Sequence, residues 1–174
     1  TRKILLQAII LLLIPFYVFS AGLDLTVDSG TNPPTLSIMF NGVDSAPYIQ
    51  TIEDGYTSEI IYSVRLRKKR TISTLFAQTD ETIIIKKTAV KDFLSGQYVI
   101  TENGRRKMYK HSLDFNKAFF SCQLQIAAEY LHSAEYTISA KAEADIIVRP
   151  HPLSMLDMFM TSEKTVTGWV KLGN

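Results

Sequence analysis

The clearest pattern along the chain is an alternation of apolar and polar residues that begins at Tyr136. Polar residues fill every second position as far as Asp145, and side chains alternate between the two faces of a strand. The pattern predicts one long β-strand, around which we expect the other strands to be arranged. Its alanines are small, so we expect bulky side chains to pack against the middle of its apolar face. The apolar positions are Tyr136, Ile138, Ala140, Ala142, Ala144, Ile146 and Val148.

Shorter alternating runs predict further strands, and the first two are separated by a turn-forming segment at residues 29–34. These two strands are expected to form a hairpin. Ile83, Ile84 and Ile85 are contiguous, which indicates a strand that is covered on both faces. The predicted strands are Leu25–Val27, Leu36–Phe40, Ser58–Arg67, Thr82–Val90 and Thr165–Leu172, with a further strand suggested at Thr71–Ala77.

The dipeptide Asn103-Gly104 predicts a tight β-hairpin, because a type I′ turn needs positive φ at both central residues. The arms of this hairpin would be residues 97–102 and 105–110. A two-residue loop places Tyr98 opposite Tyr109 and Val99 opposite Met108.

Helical spacing is found in two places. Ser112 is a candidate N-cap, and apolar residues then recur at three- and four-residue intervals as far as Ile126. Leu153, Leu156 and Phe159 predict a second short helix, and Pro47–Asp54 suits one or two helical turns ended by Gly55. The chain of 174 residues suits one domain. We therefore predict a mainly β fold, an antiparallel β-sandwich with two short helices, over residues 21–174.

The first twenty residues differ from the rest of the chain. Arg2 and Lys3 precede an apolar run from Ile4 to Ile14, which Pro15 follows. This order is typical of a Sec-type signal peptide, and a retained membrane anchor is the alternative. Either one predicts an exported protein, located in the periplasm or anchored in the inner membrane and facing the periplasm.

The charge of the remaining chain is balanced. From Ala21 onward there are 17 basic residues (19 minus Arg2 and Lys3) and 17 acidic residues. A nucleic-acid binder depends on neutralising phosphates, so this balance argues against that class of protein.

No catalytic or metal-binding motif is present in the sequence. His111, His132 and His151 have no second ligand at metal spacing, and there is no nucleophile elbow, phosphate loop or dinucleotide fingerprint. Cys122 is the only cysteine, so no disulfide can form within the chain, and we expect a buried, unreactive thiol. We predict neither an enzyme nor a cofactor.

Two groups of residues are candidates for binding a partner. The first is the apolar group Met155, Met158, Phe159 and Met160, whose flexible side chains suit an adaptable contact; alternatively, this group closes the core. The second is the basic run Arg67, Lys68, Lys69 and Arg70. It suits an acidic partner or anionic lipid, or else marks a solvated strand end that discourages edge-to-edge pairing.

The order of these features resembles a family of exported bacterial proteins of unknown function. The shared features are a leader segment, a glycine-led strand that ends in basic residues (Gly55 to Arg70), a tyrosine-initiated long strand, a proline-leucine turn (Arg149 to Leu153) and a C-terminal strand with Trp169. This chain has one tryptophan there instead of two. The resemblance implies an envelope protein and brings no catalytic residues.

Two functions fit these observations. The first is a non-enzymatic interaction or structural module of a periplasmic assembly, which binds another envelope protein. The second is a periplasmic carrier or sensor of a lipid or other apolar ligand, held beneath Ala140, Ala142 and Ala144. A filled core with a free strand edge would favour the module, whereas an open apolar pocket would favour the carrier.

Overall fold

The computed structural model describes residues 21–69, 80–132, 135–147 and 164–173. These residues form two antiparallel sheets around one hydrophobic core, so the predicted β-sandwich is confirmed. Helices in the described chain are α1 (Ala46–Glu53), α2 (Ser112–Phe119) and α3 (Ala128–His132). The strands are β1 (Gly22–Asp28), β2 (Thr35–Asn41), β3 (Thr57–Lys68), β4 (Asp80–Asp92), β5 (Gln97–Glu102), β6 (Arg105–Tyr109), β7 (Ser121–Gln125), β8 (Tyr136–Ile147), β9 (Thr165–Val166) and β10 (Val170–Lys171).

The smaller sheet has three strands in the order β1-β2-β7. Its first two strands form the predicted hairpin, in which Gly22 lies opposite Asn41 and Asp28 lies opposite Thr35. The larger sheet has seven strands in the order β10-β8-β3-β4-β5-β6, and β9 also pairs with β8. Strand β3 therefore lies near the middle of this sheet, between β4 and β8.

The alternation that predicted β8 is confirmed by burial. Ala140, Ala142 and Ala144 have no exposed surface, whereas Lys141 and Glu143 between them are partly exposed. The bulky residues expected beside these alanines include their neighbours on β3, where Tyr62 lies opposite Ala142. The Tyr62 hydroxyl donates to the Phe119 carbonyl oxygen at 3.3 Å, which ties the centre of the large sheet to the end of α2.

The hairpin of β5 and β6 has the predicted register, with Tyr98 opposite Tyr109 and Val99 opposite Met108. Both turn residues have positive φ, 47° at Asn103 and 82° at Gly104. Only a residue that tolerates the left-handed region fits each position, which explains why the Asn-Gly pair predicts this turn.

The helix predicted to reach Ile126 is wrong in its second half. Helix α2 ends at Phe119, and Cys122 and Ile126 belong to the strand segment around β7. Cys122, Leu124 and Ile126 are spaced by two as well as matching the helical stripe, so the pattern fitted both structures. Pairing with β2 decides the outcome, because Cys122 lies opposite Ile38 and the Ile126 N–H donates to the Pro34 carbonyl oxygen at 3.0 Å.

The expectation that both faces of Ile83–Ile85 are covered is also wrong. Ile85 is buried, but the side chain of Ile84 is 63% exposed. Ile84 points to the face of the large sheet that turns away from the small sheet, and this face is only partly covered at that position.

The final strand lies where it was predicted, but a bulge divides it. Val166 lies opposite Glu143 and Val170 opposite Ala140, so three residues of the edge strand stand against two of β8. Thr167 bridges the gap: its N–H donates to the Ala142 carbonyl oxygen at 2.9 Å, and its hydroxyl accepts from the Ala142 N–H at 2.9 Å.

Helix α1 occupies the predicted helical turns and is fixed to the large sheet by a polar cluster. Lys91 of β4 and Tyr98 of β5 both donate hydrogen bonds to the Glu53 carboxylate. The hydrogen bond from Lys91, followed by that from Tyr98, lowers the pKa of Glu53 below its ordinary value of 4.5. The same contact with Glu53, helped by burial, raises the pKa of Tyr98 to about 12.

The predicted strand at Thr71–Ala77 and the predicted helix containing Leu153, Leu156 and Phe159 lie outside the described residues. The short helix α3, directly before β8, was not among the predicted elements.

Candidate functional site

The two sides of the sandwich are built differently. On one side, β1 of the small sheet packs against β8 and β10 of the large sheet. On the other side, β4 has 13 residues but β5 pairs with only six of them, Lys87–Asp92. Strand β4 therefore runs on past the end of β5. Within the described chain, no strand pairs with residues 81–86 on that side, and we call them the free half of β4.

Strand β7 of the small sheet also has a free edge in the described chain, because it pairs with β2 alone. The Phe40 N–H donates to the Phe120 carbonyl oxygen, which places the backbone groups of residues 120, 122 and 124 towards β2. By the alternation of a strand, those of Ser121, Gln123 and Gln125 face the free edge.

Both free edges border the same side of the sandwich. At one end, the Lys87 ammonium of β4 donates to the Ser121 carbonyl oxygen at the start of β7. At the other end, Tyr130 of α3, which follows β7, donates to a Glu81 carboxylate oxygen at 3.4 Å. We call this side, with the free half of β4, the edge of β7 and the groove beside them, the open side.

A groove of about 670 Å³ forms the upper part of the open side, beneath the β5–β6 hairpin. Its walls carry more polar and charged groups than apolar ones. The lining residues are Lys87, Ile100, Glu102, Asn103, Arg105, Lys107, Tyr109, Ala118, Ser121, Cys122 and Gln123.

Two exposed cations dominate the outer wall of this groove. Arg105 and Lys107 are exposed, and within the described residues neither makes an ion pair with a carboxylate. Both point to the same face of β6 as Tyr109. The groove is therefore suited to a negatively charged group.

The floor of the groove is organised by Lys87, which is only 5% exposed. Its ammonium donates to the carbonyl oxygens of Ala118, at 2.9 Å, and Ser121, and forms an ion pair with Glu102 at 3.3 Å. An ammonium has three hydrogens, so all three are used. Lys87 thus holds the end of α2 and the start of β7 against the large sheet.

Cys122 lies behind this lysine and is 1% exposed, which confirms the prediction of a buried thiol. Burial raises the pKa of Cys122 to about 11; nearby Lys87 opposes this rise and Glu102 adds to it. The thiolate is the nucleophilic form of cysteine, so we expect this side chain to be unreactive in the folded protein at neutral pH.

The basic candidates from the sequence are placed apart from the groove. Arg67 forms an ion pair with Asp80 at 3.1 Å, and Lys68 pairs with Glu135 at 3.2 Å, while Lys69 is exposed. Because β3 is not an edge strand, the idea that these cations guard an open edge is wrong. Arg70, Met155, Met158, Phe159 and Met160 lie outside the described residues.

Sequence reasoning missed the groove itself. The pattern that could have revealed it is the run Arg105-Arg106-Lys107 directly after the turn at Gly104. Alternation along the predicted hairpin places Arg105 and Lys107 on the same face as Tyr109. This face of the strand carries two cations and then becomes apolar further along. Such a change is expected where a strand passes the rim of the core, and a charged ligand could approach there.

Comparison of the chain with protein-family models, curated proteins and solved structures found no match. The resemblance to exported bacterial proteins therefore stays a prediction. The described residues contain no group of three or more metal-ligating side chains placed to hold an ion. They also contain no helix of sufficient length and hydropathy to cross a bilayer.

Proposed function

We propose that this chain is a non-enzymatic interaction module of the cell envelope, which binds another protein through the open side of its sandwich. The observation that carries the proposal is that, within the described residues, the free half of β4 and the outer edge of β7 have no pairing partner and border the same cationic groove beside a filled core. Free edges offer backbone donors and acceptors to an added strand, which is a common mode of peptide recognition.

The expected location is the periplasm, or the periplasmic face of the inner membrane. Its support is the order of a basic start and an apolar run from Ile4 to Ile14. A balanced charge over the rest of the chain fits an envelope protein that binds protein and not nucleic acid.

A lipid carrier finds less support. The alanines of β8 that could leave space between the sheets have no exposed surface and belong to the core cluster. The groove on the open side is walled by Arg105, Lys107, Glu102 and other polar groups. Such walls suit an ionic group better than an acyl chain.

The test is to isolate the tagged full chain from the envelope of its own host in mild detergent. The complex is then analysed by native mass spectrometry for bound protein and bound lipid. A protein partner at fixed stoichiometry supports the module. Lipid bound without a protein partner overturns it in favour of the carrier, and an empty protein at native concentration overturns both functions.

A photo-crosslinking amino acid, incorporated at one position at a time, locates the surface that contacts the partner. At Gln123, on the free edge of β7, it is expected to crosslink to the partner. At Thr26, which is exposed on β1, on the opposite side where the small sheet packs against β8 and β10, it is expected to give no crosslink. The reverse result would remove the open side from the proposal. The predicted apolar group is examined in parallel by changing Met158 and Phe159 to serine and measuring partner yield.

A further inference from the structure

The free half of β4 has backbone groups positioned for pairing. The Lys86 carbonyl oxygen accepts a hydrogen bond from the Asn103 N–H at 3.4 Å, so the backbone of Lys86 faces the β5 side. Backbone groups alternate along a strand, and those of Ile84 and Thr82 therefore face the same side. Within the described residues, no strand pairs with them there.

The middle of this edge is apolar and partly uncovered, and Glu81 and Lys86 lie at its two ends. Ile84 is 63% exposed on the outer face, and Ile83 on the inner face is only partly buried against the core. Edge strands are normally protected by charge or proline. On β6 three cations follow one another, Arg105, Arg106 and Lys107, whereas on the free half of β4 the charged residues Glu81 and Lys86 flank a run of three isoleucines. An added strand with apolar residues on its outer face would cover Ile84.

The cations near the Lys86 end of this edge indicate which charge the partner should carry. A strand that runs along β4 must leave the ladder at Asn103, where the groove begins. Arg105 and Lys107 stand in that groove without an ion pair in the described chain. A carboxylate on the incoming segment would meet both cations, which favours an acidic end at this point.

We propose that an extended segment of a partner protein adds to the large sheet antiparallel to β4, pairing with Thr82 and Ile84. Its apolar residues alternate with polar ones and cover Ile84. Acidic residues at its N-terminal end enter the groove and bind Arg105 and Lys107. This inference rests on the proposed function and specifies the surface and the partner chemistry.

The probe is a fluorescent peptide that begins with two aspartates and continues with alternating valine and threonine. Binding is measured by fluorescence anisotropy with the full chain. Ile84→Pro removes one N–H that faces the free edge and no bond of the β3–β4 ladder, and proline is tolerated at such positions. We expect this variant to bind about tenfold more weakly, which corresponds to about one hydrogen bond.

A matched pair of charge reversals tests the groove. Arg105→Glu is expected to weaken binding by about tenfold and to reduce its salt dependence, because Arg105 lines the groove. Arg106→Glu makes the same charge change on the opposite face of β6, and binding should stay within about twofold. Equal losses in the two variants would overturn the assignment of the groove.

Hydrogen exchange keeps the test independent of any folding defect in the proline variant. In the unmodified protein, the amides of Ile84 and Thr82 should exchange rapidly and become protected when the peptide binds. Protection in the isolated monomer would mean that the chain covers its own edge, and protection that depends on protein concentration would mean a second copy. Either result overturns the proposal.

The two proposals fail separately. A native partner that binds the Ile84→Pro and unmodified proteins equally well would overturn strand addition at β4 and leave the interaction module standing. If no native partner is found, the proposed interaction module is overturned, whether or not the peptide binds.

Discussion

At the scale of single residues, Lys87 is a nearly buried cation that joins helix α2 and strand β7 to the large sheet. A buried ammonium is costly unless all of its hydrogens are bonded. Lys87 satisfies this condition with the carbonyl oxygens of Ala118 and Ser121 and with Glu102. The carbonyl of Ala118 lies in the last turn of α2, where a cation is favoured by the helix dipole.

Lys87→Met should therefore destabilise the protein strongly. The methionine fills similar volume but leaves two carbonyl oxygens and a half-buried carboxylate without their donor, and we expect a loss of about 3 kcal/mol in the free energy of unfolding. Urea unfolding measures this loss. The control is Lys107→Met in the same groove, where the exposed side chain makes no ion pair with any described residue and the change should be below about 0.5 kcal/mol. A comparable effect in both variants would contradict the role given to Lys87.

Cys122 provides a second measurement at this scale. Because the thiol is buried and burial raises its pKa to about 11, it should not react with a disulfide reagent at pH 8 while the protein is folded. The unfolded chain in urea should react at the rate of a free thiol. Rapid reaction of the folded protein would show that the corner between α2 and β7 opens frequently.

At the scale of elements, the edge strand made of β9 and β10 depends on one hydroxyl. Where the bulge interrupts the ladder, Thr167 supplies the acceptor for the buried Ala142 N–H. Its hydroxyl in turn donates to the Ala142 carbonyl oxygen at 3.3 Å. A side chain thus replaces a missing backbone bond, which is why the bulge can lie beside a fully buried alanine.

Thr167→Val tests this replacement, since valine has nearly the same shape but no hydroxyl. The unsatisfied N–H of Ala142 should cost about 2 kcal/mol of stability. Hydrogen exchange should show faster exchange at that amide than in the unmodified protein. Thr82→Val on exposed β4 is the matched control and should change the free energy of unfolding by less than about 0.5 kcal/mol. An unchanged exchange rate at Ala142 would mean that the hydroxyl is dispensable.

At the scale of the whole molecule, the sandwich is held at its upper end by the cluster of Glu53, Lys91 and Tyr98, which joins α1 to β4 and β5. The pKa of Glu53 is lowered mainly by the hydrogen bond from Lys91 and then by that from Tyr98. The pKa of Glu143 is lowered mainly by the hydrogen bond from Lys141 and then by that from Lys164. A carboxyl whose pKa is lower in the folded state contributes stability above its unfolded pKa. That stability is lost as the pH falls through the folded pKa.

The free energy of unfolding should therefore be steady above about pH 5 and decrease as the pH falls below the ordinary glutamate value of 4.5. Glu53→Gln should be less stable than the unmodified protein at neutral pH and should lose less stability on acidification. Chemical unfolding at a series of pH values measures both effects. Glu129→Gln, at an exposed position of α3, is the control and should reproduce the unmodified profile. Parallel profiles for Glu53→Gln and the unmodified protein would exclude Glu53 as a source of the acid sensitivity.

The sequence allowed most of the strands to be predicted, because burial on one face leaves an alternation that can be read directly. Strand β8 and the Asn103-Gly104 hairpin, with its register, are the best examples. The end of α2 could not be predicted in the same way. Cys122 and Ile126 satisfy both the helical and the strand period, and only pairing with β2 separates the two.

The candidate site was harder to predict than the fold. A free edge is a property of strand order and of unequal strand lengths, and neither is visible in local patterns. The sequence predicts the middle of β4, Thr82–Val90, but not its full 13 residues or the fact that only six of them meet β5. The exposure of Ile84 follows from the same unequal lengths, which is why the three isoleucines were read as covered on both faces.

The bulge between β9 and β10 also determines where the edge strand can lose a residue without losing its register. Deleting Gly168 would leave Thr167 opposite Ala142 and Val170 opposite Ala140, so Val170 and Leu172 would still face the core and Trp169 would still face outward. A deletion elsewhere in a paired strand exchanges its two faces beyond that point. The edge strand can therefore lose one residue within its bulge and keep its orientation, and homologous chains that differ by one residue are expected to differ there.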